Sequence, residues 1–291
     1  MKNEKRKNKV VVAMSGGVDS SVAATILKRA GFNVIGVFMK FWSESEKNRL
    51  IGVWNKCCSP EAEKRARKVA EKLKIPFYVF NFEKEFKRRI VDQFLKRHKE
   101  GITPNPCVVC NKEIKFGLLL EKALKLNAEF VATGHYVRKE EVKSQKLRVT
   151  SYKVLRGKDR EKDQSYFLWQ LNQKQLKHIL FPIGQYMKEE VRNLAKEFKL
   201  PIFKSLNIPE SQEICFIKTT IDDFLKKYLK KKRGKIVDIN GKILGQHPGL
   251  WFYTIGQRKR IGLPGGPYYL SLIHISEPTR PLYISYAVFC L

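Results

Sequence analysis

The most constraining feature of the sequence is a glycine turn between a short apolar run and an amphipathic segment near the start of the chain. Residues Val10 to Met14 are apolar and mostly β-branched, which is typical of a buried strand. Ser15-Gly16-Gly17 interrupts the run, and apolar residues between Ser20 and Ala30 then recur at helical spacing. The sequence therefore predicts a strand, a glycine turn and a helix in direct succession.

The same alternation continues through the first half of the chain. The patterns predict strands at Val34 to Met39, Phe77 to Phe80 and Glu129 to Thr133, and helices at Pro60 to Leu73, Phe86 to His98 and Lys112 to Lys125. Strands that alternate with helices usually pair in parallel, with the helices covering the sheet. We expect an α/β fold with a Rossmann-like parallel sheet in a first domain at residues 1–150.

The pattern changes in the second half. Helices are predicted at Gln164 to Leu171, Gln173 to Leu180 and Lys188 to Lys199, so residues 151–233 are expected to be mainly helical. Asn240-Gly241 between two apolar segments predicts a hairpin, and a β-rich domain is expected at residues 234–270. Residues 271–291 contain no Lys, one Arg and one Glu. We expect them to be a non-native tail, with an apolar strand pair as the alternative.

The charge of the chain predicts a polyanionic partner. Its formal net charge is +30, from 58 Lys and Arg against 28 Asp and Glu. The surplus is dense at Lys226 to Lys235 and Arg258 to Arg260, where we expect phosphate contacts, although compositional bias is an alternative. The basic N-terminal residues lack the apolar run of an export signal, and no segment approaches membrane-spanning length. We therefore expect a cytoplasmic protein.

The glycine turn has the composition of an anion site. Between a strand and a helix N-terminus, the backbone N–H groups of Ser15 to Ser21 can surround a phosphate. The turn lacks both the Gly-Lys-Ser/Thr ending of a Walker loop and the dinucleotide G-x-G-x-x-G pattern. A plain tight turn capped by Asp19 or Ser20 is the structural alternative. Ser-Gly-Gly-x-Asp-Ser as a whole resembles the pyrophosphatase loop of enzymes that cleave ATP between its α and β phosphates.

Five further motifs narrow the resemblance. Together with the loop, and in the same order, they resemble the bacterial tRNA-specific 2-thiouridylase family over about residues 9–269; the five segments are Thr103–Phe116, Ala132–Tyr136, Lys162–Phe167, Ser211–Phe216 and Tyr253–Lys259. The resemblance implies the adenine-nucleotide alpha-hydrolase type of α/β fold, with a β-rich domain truncated near residue 269. It also implies ATP-dependent 2-thiolation of the wobble uridine (position 34) of tRNA.

The resemblance assigns roles to individual residues. It implies that Cys110 is the catalytic nucleophile and that Cys215 carries a persulfide. ATP, with Mg²⁺, is expected at Ala13, Met14, Ser15, Gly16, Gly17, Val18, Asp19, Ser20, Met39 and Gly134. Contacts with tRNA are expected at Asn105, Pro106, Cys107, Lys162, Asp163 and Gln164. The implied partners are tRNA and a sulfur-donor protein such as a cysteine desulfurase, and we expect a monomer.

The implied chemistry suits two thiols. Uracil O2 is a poor leaving group, so adenylation of that oxygen allows sulfur to replace it as AMP departs. One cysteine then delivers the terminal sulfur of a persulfide, and the other resolves the product by forming a disulfide. We predict Cys110 at the start of a helix, followed by Lys112 and Lys115, where positive potential favours the thiolate.

The cysteine pattern leaves alternatives open. Six cysteines stand at positions 57, 58, 107, 110, 215 and 290, scattered as free, reactive or metal-bound thiols rather than as a disulfide framework. Cys107 and Cys110 have zinc-like spacing, but a structural site needs about four ligands, so no metal is predicted. An iron–sulfur cluster on Cys107, Cys110 and Cys215 is another alternative, as is a buried strand cysteine for Cys215. The Cys57-Cys58 pair is expected in a surface loop or a helix entry.

Position 107 departs from the family pattern. The best-known relatives have an aspartate there, thought to contact the target base and help to move its proton. An ordinary thiol has a pKa of ~8.5 against ~3.9 for Asp, so the departure argues against this proton-transfer role for Cys107.

Other functions remain open at the level of the sequence. The loop also fits ATP-dependent enzymes such as those of lysidine or GMP synthesis. An inactive, truncated tRNA-binding remnant is the non-enzymatic alternative. The structural alternative for Gly134-His135 is a strand-ending turn with a hydrogen-bonded histidine that has no role in binding or catalysis.

Overall fold

A computed structural model describes residues 8–44, 59–144, 149–202, 214–238, 240–264, 268–273 and 282–285. The chain divides into two compact units. Unit 1 combines Met1–Arg89 with Cys107–Lys218, and unit 2 combines Ile90–Pro106 with Thr219–Leu291. The linear division at residues 150, 233 and 270 stays a prediction. The Cys57-Cys58 pair and Cys290 lie outside the described residues.

Unit 1 is built on a five-stranded parallel sheet in the order β3-β2-β1-β4-β7. The strands are β1 (Lys9–Ala13), β2 (Asn33–Lys40), β3 (Phe77–Asn81), β4 (Phe130–Ala132) and β7 (Ile179–Leu180). The β-branched residues of β1 and β2 are buried because helices cover a parallel sheet on both faces. The predicted α/β fold with a parallel sheet is confirmed.

The helices that follow the first strands have clear sequence causes. Helix α1 (Val18–Arg29) begins directly after the glycine turn. Helix α2 (Pro60–Leu73) has Ser59 as its N-cap, whose side chain accepts a hydrogen bond from the Ala62 N–H, and Pro60 at its first position. It ends at Lys74, which has a left-handed φ of 51°. Both predicted helices are therefore confirmed to within two residues of their ends.

Two longer helical stretches contain π-helical turns. The first consists of α3 (Glu83–Phe86), a π-helical segment at Lys87–Val91 and α4 (Asp92–Lys99). The second consists of α5 (Pro106–Cys110), a π-helical segment at Asn111–Leu118 and α6 (Leu119–Lys125). This second stretch begins six residues before the predicted start at Lys112. Pro106 explains the earlier start, since proline is favoured at the first helical position.

The region after β4 differs from the prediction. Strands β5 (Val137–Ser144) and β6 (Val149–Arg156) form an antiparallel ribbon where the sequence predicted a domain boundary. The turn Ser165–Leu168 is 3₁₀ rather than α-helical, and α7 (Gln173–Lys177) ends before Ile179–Leu180, which pairs with β4. Helix α8 (Lys188–Glu197) is confirmed. The sequence did not predict strands β5, β6 and β7, because short or highly charged strands show no continuous apolar run.

Unit 2 has a four-stranded sheet in the order β10-β11-β8-β9. Strands β8 (Gly234–Asp238) and β9 (Ile243–His247) form the predicted antiparallel hairpin, with Gly241 at φ +83°. Strands β10 (Tyr269–Ile273) and β11 (Leu282–Ser285) lie partly in the predicted tail. Helix α9 (Ile221–Tyr228) contacts α4 through the rings of Phe224 and Phe94. The core of this unit groups Ile236, Leu250, Tyr253, Ile261 and Leu270.

Candidate active site

The order of the parallel strands places the glycine turn at a topological switch point. The chain runs from β1 outward through β2 to β3, and then crosses to β4 on the other side of β1. In open α/β sheets, ligands bind at the carboxyl ends of the strands where the order reverses. The turn after β1 and the Thr133-Gly134 segment after β4 both lie at this edge, as the sequence predicted.

The turn itself is held in shape by side chains on both sides. Gly16 has a φ of +76°, and a Cβ there would overlap the Ala62 carbonyl oxygen, so only glycine fits. The Arg65 Nε donates to the Gly16 carbonyl oxygen at 3.0 Å. Ser20 Oγ accepts from the Ser15 N–H at 3.2 Å. The N-cap residue, Gly17, supplies no side-chain oxygen to the first N–H groups of α1, which leaves them available to an anion.

Gly134 completes the cradle from the neighbouring strand. A Cβ on Gly134 would stand 2.7 Å from the Ser20 backbone nitrogen and 2.8 Å from the Asp19 carbonyl carbon. The two backbones therefore approach as closely as they can. A larger side chain at position 134 would force the turn away from β4, so glycine is needed to keep the two segments together at this edge.

Asp19 is the most heavily bonded side chain of the turn. Lys188 Nζ lies 2.8 Å from both carboxylate oxygens, and the Tyr136 hydroxyl donates to Oδ1 at 2.8 Å. The Lys188 side chain is 12% exposed and that of Asp19 is 31% exposed. Lys188 is the first residue of α8, and its backbone N–H donates to the buried Asp159 carboxylate at 2.9 Å. The sequence prediction missed Lys188, because a lysine that opens an amphipathic helix looks like a surface residue.

The segment predicted to contact tRNA is bonded to the same tyrosine. The Tyr136 N–H donates to the Gln164 side-chain oxygen, and the Gln164 N–H donates to the Tyr136 carbonyl oxygen, both at 3.2 Å. Asp163 accepts hydrogen bonds from the Gly157 and Ser165 N–H groups at 2.8 and 3.3 Å. Lys162 is half-buried beside them. The three predicted residues thus form one ordered loop connected to Asp19 through Tyr136.

Cys110 lies close to this loop. Its neighbour Asn111 is buried and donates its side-chain amide to the Phe167 carbonyl oxygen at 3.2 Å. Cys110 is 8% exposed, and Cys107, one helical turn earlier, is half-buried. The prediction that Cys110 starts a helix is wrong, because α5 begins at Pro106 and Cys110 is its last residue. The positive end of this helix is therefore at Pro106, one turn before Cys110, and not at the thiol itself.

The residue after Cys215 connects this turn to the sheet through a series of packed aromatic rings. Phe216 is buried and packs edge-to-face on Phe86 at 5.9 Å, and Phe86 stacks on Phe41 at 4.7 Å. Phe41 follows the last residue of β2, two positions beyond Met39. Cys215 itself is half-exposed in a turn in which the Ile217 N–H bonds the Ile214 carbonyl oxygen. The alternative of a buried strand cysteine is therefore wrong, while residues 211–213 of that motif lie outside the described residues.

His135 behaves as a structural residue. Its ring lies 2.7 Å from the Thr133 hydroxyl and packs between the rings of Phe116 and Phe181. Burial, followed by the charge of Lys115, holds the pKa of the His135 imidazole well below 6.5. The ring is neutral at physiological pH, in agreement with the structural alternative stated for Gly134-His135.

The remaining predicted nucleotide residues differ in exposure. Ala13 and Met14 are buried, and the Met14 N–H donates to the Val37 carbonyl oxygen. Only their backbone, not their side chains, lines the edge of the sheet. Met39 is half-buried near the carboxyl end of β2, and Val18 opens α1 beside Asp19.

Several predicted residues belong to unit 2. Asn105 and Pro106 fall in that unit, as do the two basic clusters. Within the clusters, Lys226 lies 3.3 Å from Asp223, and Arg260 lies 3.7 Å from Asp222. The side chains of Lys230 to Arg233 are exposed.

Neither a metal-binding cluster nor a membrane-spanning helix is found among the residues that the structure describes. There, no group of three or more His, Cys, Asp or Glu side chains is arranged to hold a metal ion. No described helix is both long and apolar enough to cross a membrane.

Comparison with known proteins assigns the family. A model described as the tRNA methyl transferase HUP domain matches residues 8–219, and one described as the tRNA methyl transferase PRC-barrel domain matches residues 222–285. The chain is 50% identical over 280 residues to a tRNA-specific 2-thiouridylase of Thermoanaerobacter sp., covering 95% of this chain and 71% of that protein. The chain belongs to the tRNA-specific 2-thiouridylase family.

Further relatives agree with this assignment. The 2-thiouridylase of Carboxydothermus hydrogenoformans is 47% identical over 91% of this chain and 71% of its own length. That of Thermus thermophilus is 45% identical over 88% of this chain and 67% of its own length. Among solved structures, a predicted subunit of tRNA methyltransferase from Methanocaldococcus jannaschii has a TM-score of 0.39 at 19% identity, covering 65% of this chain and 75% of that one. This structural likeness is too weak to add to the assignment.

The matches confirm the predicted family. The second domain match continues to residue 285, and it therefore includes part of the segment 271–291 that the sequence predicted to be non-native. The origin of residues 271–291 stays a prediction.

Proposed function

We propose that this chain is an ATP-dependent tRNA-uridine 2-sulfurtransferase, which converts the wobble uridine (position 34) of tRNA to 2-thiouridine. The observation that supports it best is a path of hydrogen bonds through unit 1. It runs from Asp19 to Tyr136, from Tyr136 to Gln164, and from Phe167 in the same loop to Asn111, the neighbour of Cys110. An ATP-splitting turn, an RNA-contacting loop and a thiol are thereby linked within one unit.

The first step requires ATP and the uracil ring. The uracil O2 attacks the α-phosphorus of ATP, the bond to the β-phosphate oxygen breaks, and pyrophosphate leaves. The N–H groups of Gly16 to Ser20, at and before the N-terminus of α1, stabilise the charge that develops on the phosphates. Both oxygens of Asp19 lie 2.8 Å from Lys188 Nζ, so this ion pair, rather than a free carboxylate, borders the phosphates, and Mg²⁺ would be held mainly by the phosphate oxygens.

The second step moves sulfur. The terminal sulfur of a Cys215 persulfide attacks C2, and the C2–O bond breaks as AMP leaves. The Cys110 thiolate then attacks Sγ of Cys215, which breaks the persulfide bond and leaves sulfur on C2. The products are 2-thiouridine and a Cys110–Cys215 disulfide, which an external dithiol reduces. A protein of the cysteine desulfurase type restores the persulfide.

The descriptions of the matched models name methyl transfer, which offers a second outcome to test. Methyl transfer needs a methyl donor and does not need two cysteines or the splitting of ATP. The ATP-type turn with Asp19 and the link to Cys110 favour sulfur transfer.

The test is a reconstituted thiolation assay. Purified chain, ATP, Mg²⁺, cysteine desulfurase, cysteine, a dithiol and tRNA are combined, and nucleosides are scored for 2-thiouridine and for methylated uridine. We expect Cys110→Ser and Cys215→Ser to lose 2-thiouridine, and Asp19→Asn to lose AMP formation. Cys57→Ser, which removes a thiol outside all six motifs, is the matched control and should retain product. Full product from either Cys110→Ser or Cys215→Ser would reject the two-thiol mechanism.

A further inference from the structure

Two large aromatic side chains are exposed on one turn of unit 1. Tyr166 and Trp169 are each 65% exposed, and they stand three residues apart on and directly after the 3₁₀ turn Ser165–Leu168. In 3₁₀ geometry, side chains at i and i+3 lie above one another on the same side of the turn. Trp169 keeps helical angles, with φ −60° and ψ −22°. The two rings therefore form a single exposed face, which we call the aromatic turn.

The backbone beneath the aromatic turn is firmly held. Leu168, between the two rings in sequence, is buried, and the Phe167 carbonyl oxygen accepts from the Asn111 side chain. Asp163 accepts from both the N–H and the hydroxyl of Ser165, at 3.3 and 2.7 Å. A ligand that binds to rings on such a fixed support loses little of its affinity to ordering the protein.

The electrostatic surroundings favour a nucleic acid over an apolar peptide. Residues 158–177 contain five basic and three acidic residues. Two of those acids, Asp159 and Asp163, are occupied with backbone N–H groups. Lys158 is likewise paired with Glu190, so the positive charge of the segment comes from its other basic residues; an exposed aromatic surface in such a segment suits a nucleotide, whose base stacks and whose phosphate is attracted by cations.

The aromatic turn also lies close to the proposed chemistry. The Asn111 to Phe167 hydrogen bond places the turn directly beside the neighbour of Cys110. A uridine that is presented to a thiol must leave the base stack, and its neighbours in the strand lose a stacking partner when it does. A protein ring near the thiol can replace that partner.

We propose that Tyr166 and Trp169 stack an unpaired base adjacent to the target uridine and thereby hold the uridine toward Cys110. The proposal rests on the proposed function for the identity of the RNA. It assigns these two rings to RNA positioning and not to catalysis.

The test compares RNA binding by single variants of the full chain. The probes are an anticodon stem-loop with uridine at the wobble position, and two versions with an abasic nucleotide on one side of that uridine or on the other. We expect Trp169→Ala and Tyr166→Ala to weaken binding of the intact stem-loop by about tenfold each. With the abasic RNA that lacks the stacked base, the same substitutions should cost no affinity. Trp169→Phe should retain most of the affinity.

Tyr78 supplies the matched control. It is 48% exposed on β3, so Tyr78→Ala removes an exposed ring from the same unit. The proposal is overturned if Trp169→Ala and Tyr166→Ala weaken binding no more than Tyr78→Ala does, or if they weaken the binding of all three RNAs equally. Both rings are exposed, so the variants should fold, which thermal unfolding verifies.

The thiolation assay separates this proposal from the proposed function. If the wild-type chain makes no 2-thiouridine but the loss of affinity still depends on the neighbouring base, the aromatic turn stands and the enzymatic assignment fails. If thiolation proceeds while both aromatic variants bind and react like the wild type, the function stands and the aromatic turn fails.

Discussion

Removal of the Lys188 charge tests how Asp19 is held. Two unit charges about 3 Å apart attract by roughly 5–6 kcal/mol at an effective dielectric constant of about 20, but desolvation offsets most of this. Breaking a fully buried pair costs about 3–5 kcal/mol, and an exposed pair contributes about 0–1 kcal/mol. Lys188 is 12% exposed and Asp19 is 31% exposed, and Asp19 keeps its bond from Tyr136. We therefore expect Lys188→Met to lower the free energy of unfolding by about 1–2 kcal/mol.

The same substitution should affect ATP more than it affects the fold. Without Lys188, the Asp19 carboxylate faces the phosphates uncompensated, and we expect ATP affinity to fall by about tenfold, or ~1.4 kcal/mol. Urea unfolding gives the stability and calorimetric titration of ATP gives the affinity.

Lys158→Met is the matched control for this experiment. It breaks the Lys158 to Glu190 pair, whose side chains are 48% and 46% exposed, so its effect on stability should stay below about 0.5 kcal/mol. If Lys188→Met binds ATP like the wild type and loses no more stability than Lys158→Met, Lys188 does not position Asp19.

Three further perturbations follow from the site. Gly134→Ala should abolish ATP binding and lower the free energy of unfolding by about 2 kcal/mol or more, because its Cβ would stand 2.7 Å from the Ser20 nitrogen. Gly17→Ala is the control and should fold normally, since its Cβ would meet only the Ser15 hydroxyl at 3.5 Å. Equal melting temperatures of the two variants would refute the steric argument. His135 has its pKa held well below 6.5 by burial, so the unfolded chain binds more protons below pH 6.5 and stability should fall as pH decreases, by up to about 1.4 kcal/mol per pH unit. His135→Gln should flatten that decline, and unchanged slopes of unfolding free energy between pH 7 and 5 would contradict the assignment. The affinity of the chain for the anticodon stem-loop should fall steeply as the salt concentration rises. Replacing the exposed Lys230 and Lys231 with Ala should reduce the slope of the logarithm of the association constant against the logarithm of the salt concentration by about one to two. An unchanged slope would show that these lysines do not contact the RNA.

The sequence was sufficient for the sheet and for the glycine turn. Four of the five parallel strands coincide with apolar runs. Burial on both faces requires such a run in β1 and β2, whereas β3 has an apolar run although Tyr78 and Val79 are 48% and 37% exposed. The fifth strand, Ile179–Leu180, was predicted as the end of a helix. Two residues carry no periodicity, and their strand geometry is imposed by pairing with β4.

The candidate site was only partly predictable. The turn Ser15 to Ser20 and Gly134 lie together as expected, since parallel strands end at one edge. The contacts made by Lys188 and Arg65 with the turn could not be predicted, because both residues reach it from helices distant in the chain. The start of α5 at Pro106 was missed for a local reason, since the helical pattern was recognised only from Lys112 onward.

The pairing of β4 with β7 has a consequence for the chain that lies between the two strands. After β4 the chain leaves the sheet and returns to it at the adjacent strand β7, so the two ends of this excursion are joined by the same pair of strands. Lengthening a closed loop adds entropy cost only as the logarithm of its length. The β5–β6 ribbon can therefore change in length at little cost in loop entropy, while Gly134 and Tyr136, at the start of the excursion, stay in contact with Asp19 and the glycine turn.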